Sequence, residues 1–146
     1  MSAPDVELRK AAAGLELVRG QMEALARQAD TLQVALEDVI RAKETLARAV
    51  EAGAGRELLV PIGSNSFVLG TLKDTERVIV GIGSDVAVEM TVAAAVERLD
   101  ARAKAIDEAE RTLAERLAQL GEQEDAQSRR VQELYEKGEG RAGPTG

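Results

Sequence analysis

Residues Leu59–Leu72 read LVPIGSNSFVLGTL, and Arg77–Met90 read RVIVGIGSDVAVEM. Both runs are apolar, β-branched and punctuated by Gly, whereas the sequence on either side is charge-rich and poor in turn-formers. Short runs of Val, Ile and Phe bounded by Gly, Ser, Asn and Asp are the mark of strands. They resolve into four, at about 58–62, 66–72, 77–82 and 86–90. The separators are GSN, KDTE and GSD. The first and last suit hairpins, and the middle one can also reverse the chain.

The flanks carry a different period. Leu8, Leu15, Met22, Ala29, Leu36, Lys43 and Val50 form one seven-residue series, and Ala11, Val18, Leu25, Leu32, Val39 and Leu46 interleave with it. Lys43 is the one charged member, so this is a coiled-coil seam. Gly53–Gly55 ends it. After the strands, Val92, Leu99, Ile106, Leu113, Leu120, Gln127 and Leu134 alternate with Val96, Ala103, Glu110, Leu117, Glu124 and Val131. Thr91 is the expected N-cap, and the polar seam residues Glu110, Glu124 and Gln127 predict looser pairing toward the distal end. Two helices of matched length around a central insert pack antiparallel most simply. The expected architecture is mainly α with a small β part. It is a single domain over 1–137, with a helix over 6–52, hairpins over 57–90 and a helix over 91–137. Residues 138–146, ending in GEGRAGPTG, read as a flexible tail.

The insert is too small to bury its own apolar residues. Two lone hairpins are marginal in water and their open edges invite pairing. Strands from several chains therefore combine, and the expected interface is Leu59, Val60, Ile62, Phe67, Val68, Leu69, Val78, Ile79, Val80, Ile82, Val86 and Val88.

Composition agrees. One Phe, one Tyr and no Trp in 146 residues argue against a compact globule and for an elongated molecule. The net charge of −7 is spread evenly: 9 acids against 7 bases over 1–52, 5 against 3 over 53–90, and 12 against 9 over 91–146. No run of Lys or Arg exceeds two, so no nucleic-acid partner is expected. With neither Cys nor His there are no disulfides, thiol nucleophiles, imidazole bases or usual zinc and haem ligands. No cofactor or metal is expected. MSAPDVELRK carries no apolar leader core and no stretch approaches a membrane span, which makes a cytoplasmic protein without a membrane partner the expectation.

Apparent motifs dissolve on inspection. Gly81–Asp85 (GIGSD) begins like a dinucleotide fingerprint, but Val86 stands where the third Gly belongs and a strand follows. Pro61–Ser66 (PIGSNS) lacks the Lys of a phosphate loop. Both read as turns. The carboxylate pairs Glu37/Asp38 and Asp107/Glu108 fall on solvent faces near Arg41 and Arg111, while Asp74 and Asp85 are turn residues. No nucleophile stands with a base, so no enzyme is expected. Apolar residues near the two termini are candidates for gripping clients at frayed ends: Val6, Leu8, Ala11, Ala12, Ala13 and Leu15 on one helix, Val131, Leu134 and Tyr135 on the other. They equally complete the seam.

Glu37–Leu46 (EDVIRAKETL) leads into Leu58–Leu99, and here the chain resembles the prefoldin family, alpha class of archaeal type. Pro61, Gly63, Phe67, Gly83, Val88, Glu89 and Thr91 match the family's strand and hairpin motif, and four strands rather than two mark the alpha class. The resemblance implies an ATP-independent co-chaperone, a hexamer of two alpha and four beta subunits. Its strands would form a double-barrel platform bearing six coiled coils. The distal tips would hold unfolded proteins and pass them to a group II chaperonin. A competing reading, from assembly alone, is a structural coiled-coil scaffold or tether.

Overall fold

The structure, a computed structural model, describes residues 2–141. Helix α1 runs Ala3–Ala52, followed by strands β1 (Glu57–Gly63), β2 (Ser66–Thr71), β3 (Arg77–Gly83) and β4 (Val86–Thr91), and helix α2 (Val92–Arg141). The chain divides into two compact units: Val34–Asp107, and the remainder from Gln33 back and from Glu108 onward.

Helix α1 begins three residues before the expected start, where the Asp5 carboxylate reaches back to Ser2, half of a capping box that the periodicity did not reveal. Ser2 Oγ donates to Asp5 Oδ2 at 2.7 Å and the Ser2 N–H donates to the same oxygen at 3.2 Å. The Ser2 carbonyl accepts from the Asp5 and Val6 amides, the first bonds of the helix. At the other end Gly53 adopts φ 84° and its N–H donates to the Ala49 carbonyl at 3.1 Å. This is the left-handed cap that only Gly takes without a Cβ penalty.

The two hairpins are built alike. In the first, Glu57 faces Thr71, Leu59 faces Leu69 and Pro61 faces Phe67; then Ile62 is bulged out and Gly63 faces Ser66. Twenty residues on, Arg77 faces Thr91, Ile79 faces Glu89 and Gly81 faces Ala87; Ile82 bulges and Gly83 faces Val86. Ser64 and Asn65 in one turn, and Ser84 and Asp85 in the other, all have φ between 50° and 59°. Two consecutive left-handed residues make the primed turn that matches the twist of paired strands. GIGSD and PIGSNS are thus hairpin turns, and Asp74 also holds a turn by accepting the Glu76 amide at 2.7 Å. Each hairpin is a separate two-stranded sheet.

No linker separates the second hairpin from α2. Thr91 is the last rung opposite Arg77, and its Oγ1 also accepts the Ala94 amide at 3.1 Å. The expected N-cap is in place. At its far end α2 continues past Gly138 to Arg141, so the first residues of the expected tail are helical; 142–146 lie outside the described residues.

Within the unit Val34–Asp107, Val39, Ala95, Leu99 and Ile106 are buried, and Lys43 pairs with Asp100 across the helices. Ala95 is outside both seam series. It is fully buried and shares a groove with Leu46 and Ala49 of α1 and Val78 and Val80 of β3. Within the other unit Leu15, Val18, Leu120 and Leu134 form the core, and the helices are antiparallel: Glu7 meets Arg130 and Arg19 meets Glu124.

Candidate interaction surfaces

The strands carry side chains that want burial and do not find it within the chain. Leu59, Val60, Ile62, Phe67, Val68, Leu69, Ile79, Ile82, Val86 and Val88 are all exposed, Ile79 reaching 75% and Leu69 69%. Leu58, absent from the expected set, joins them. Val78 and Val80 differ: they are half-buried, on the face of β3 that turns toward the helices. There β3, Ala42, Leu46 and Ala49 of α1, and Ala95 and Leu99 of α2 line a groove of about 560 Å³ rimmed by Asp38, Arg41 and Arg102.

The two outer faces are not chemically equal. The β1–β2 face presents Leu59, Pro61, Phe67 and Leu69. The matching β3–β4 face presents Ile79, Gly81, Ala87 and Glu89, and Glu89 pairs with Arg77 at 3.6 Å. One hairpin is apolar on both sides, while the other keeps a hydrated pair on its outer side.

The terminal residues separate into two groups. Leu15 and Leu134 are buried between the helices, where they hold the pair together. Leu8, Ala11, Ala12 and Val131 are partly covered, and Ala13, Val6 and Tyr135 are exposed. Both ends are helical: α1 starts beside the Ser2–Asp5 hydrogen bonds and α2 is helical through Tyr135. The Tyr135 hydroxyl is bonded to Glu139, whose carboxylate holds the phenol above its ordinary pKa, so the ring keeps its proton.

Two of the three polar seam residues of α2, Glu124 and Gln127, are better accommodated than expected. Glu124 takes the Arg19 guanidinium at 3.1 Å. The Gln127 amide lies over Gly14, with Oε1 3.2 Å from where a Cβ would stand. Asp38 pairs with Arg41 at 3.5 Å on an exposed face, and no cluster of metal-ligating side chains occurs among the described residues. No helix of the described residues is long and apolar enough to cross a membrane.

A helix pair interrupted by two similar hairpins, with apolar strands left open, matches a known family. The prefoldin subunit profile covers residues 18–137. The chain belongs to the prefoldin family.

Relatives point to one branch of it. A prefoldin subunit alpha from Pyrococcus horikoshii is 33% identical over 138 residues, which is 94% of this chain and 93% of that protein. One from Methanothrix thermoacetophila is 32% identical, covering 76% of this chain and 72% of that protein. One from Methanopyrus kandleri is 41% identical over 53% of this chain and 50% of that protein. Among solved structures, a filamentous PFD from Methanocaldococcus jannaschii superposes with a TM-score of 0.72 at 20% identity, over 79% of this chain and 95% of that one. At that identity the likeness speaks to the fold. Prefoldins are chaperone subunits rather than enzymes, and they assemble with other prefoldin subunits into oligomers.

Proposed function

We propose that this chain is the alpha-type subunit of an ATP-independent holdase. Its hairpins join those of beta-type subunits in a shared β-barrel platform, with two alpha and four beta chains to the hexamer. Its terminal helix ends grip unfolded proteins in the cytoplasm and release them to a group II chaperonin. The observation that carries this reading is the run of exposed apolar strand residues, Leu59, Phe67, Leu69 and Ile79 foremost, in a prefoldin chain. Left in water, such faces favour association at roughly 25 cal/mol per Å² of apolar area covered.

The client site consists of Val6, Leu8, Ala11, Ala12, Val131 and Tyr135, with the buried Leu15 and Leu134 acting as its support. Apart from Val6 and Tyr135 these residues are small or half-covered, so a single helix pair binds weakly. Several pairs around one cavity add avidity through effective concentration. Weak single contacts also allow release without nucleotide hydrolysis.

The test has two arms. Size exclusion with light scattering, on this chain alone and with a beta-type partner, should give a defined hetero-oligomer; a solitary folded monomer that ignores the partner would defeat the platform. The assembled complex should then suppress aggregation of a denatured protein at near-stoichiometric ratio. Deleting 1–14 and 128–146 should abolish that protection and leave the oligomer intact. Protection that survives the deletion would move the client site elsewhere, and a complex with no effect on denatured proteins would favour a scaffold.

A further inference from the structure

Polar residues in a coiled-coil seam are tolerated when something across the seam answers them. Lys43 has Asp100, Glu124 has Arg19, and Gln127 lies over Gly14. Glu110 is the exception. Its Oε1 is shut off from solvent and is the one buried side-chain polar atom among the described residues with no hydrogen-bond partner.

The surroundings make the mismatch worse. A cavity of about 320 Å³ opens beside Glu110, and Ala29 and Ala114 line it where larger side chains would close it. Asp30 and Gln33 complete its polar wall, and no Lys or Arg lines it. An unanswered carboxyl oxygen, a second acid and a packing gap therefore coincide at one level of the helix pair. Each of these raises the free energy of the closed state relative to one in which the helices part and water enters.

We propose that the Glu110 layer is a built-in opening point of this helix pair. The α1 segment around Ala29–Gln33 and the α2 segment around Glu110–Leu117 separate locally, ahead of the layers nearer the termini. There Leu15, Val18, Leu120 and Leu134 are buried and Arg19 pairs with Glu124, so those levels stay shut. Opening thus starts within the pair rather than by fraying from its ends. This differs from the terminal grip proposed above and does not depend on it.

Hydrogen exchange read by mass spectrometry on the full chain, in its assembled form, tests this directly. In the wild type, peptides spanning 26–33 and 108–117 should exchange faster than those spanning 15–22 and 118–127. Glu110→Leu, which replaces the carboxyl with a side chain the cavity can hold, should slow the first pair about tenfold or more, with the second pair unchanged. Glu110→Gln, which keeps the shape and removes the charge, should slow them by a smaller factor. Unaltered or faster exchange at 26–33 and 108–117 in Glu110→Leu would overturn the proposal. If that variant fails to fold, the same reading of Glu110→Gln decides it.

Discussion

Leu69 and Glu89 occupy the same rung of two hairpins built alike, the first facing Leu59 and the second facing Ile79. Leu69 is left 69% exposed, while Glu89 has the company of Arg77 and of water. Since the backbone is repeated and the chemistry is not, the two outer faces differ in what they can pack against. The β1–β2 face is apolar at this rung on both strands; the β3–β4 face sets an exposed Ile79 beside a charged pair.

Leu69→Glu should therefore break assembly, because it places a charge where another subunit's apolar side chains belong. Association should weaken by about 2 kcal/mol or more, some thirtyfold in the midpoint of dissociation. Glu89→Leu should leave the particle size unchanged. Light scattering across a dilution series separates the two, and equal effects from both substitutions would refute the asymmetry.

Thr91 ends a strand and caps a helix at once. Thr91→Ala should cost about 1 kcal/mol, measured as a fall of roughly 3 °C in the thermal midpoint by circular dichroism. Thr91→Ser, which keeps the oxygen, should recover most of it.

Core and surface positions of similar chemistry should diverge. Leu120 is 1% exposed and Leu17 is 64% exposed. Leu120→Ala should destabilise by about 3 kcal/mol and Leu17→Ala by less than about 0.5 kcal/mol in urea titrations.

The α1 cap should depend on pH. Hydrogen bonds from Ser2, with a smaller contribution from Arg9, hold the Asp5 carboxyl below its ordinary value of 3.8. A carboxyl depressed in the folded state stabilises fully above its unfolded pKa and loses that contribution as the pH falls through the lower folded one. Amides of the first turn should stay protected down to about pH 4 and lose protection below it. Asp5→Asn should remove that dependence, and a protection profile identical to wild type would show that the cap is not what orders the turn.

Much of this was legible without coordinates. The heptads named the helices and most of the buried residues, since a 3.5-residue apolar period leaves one face to cover. The Gly-Ser-Asn and Gly-Ser-Asp separators marked both turns, because few other residues accept consecutive left-handed conformations. The Ser2–Asp5 pair lies outside the apolar period, so periodicity alone starts the helix three residues late. For Leu15 and Leu134 the sequence allows either the seam or a client. A hydrophobic letter does not say whether its neighbour is the partner helix or a stranger, and here it is the partner helix.

The linear order of residues by itself determined two paired helices, two tight hairpins and an apolar surplus in the strands, because period and turn chemistry are local properties. Tertiary structure decided the rest. It showed that Glu124 is answered and Glu110 is not, and that Ala95 is buried while Tyr135 is open. It also showed that the two hairpins share a register but not a partner chemistry. Such outcomes depend on which side chains from distant parts of the chain arrive at the same level, and no local pattern encodes that.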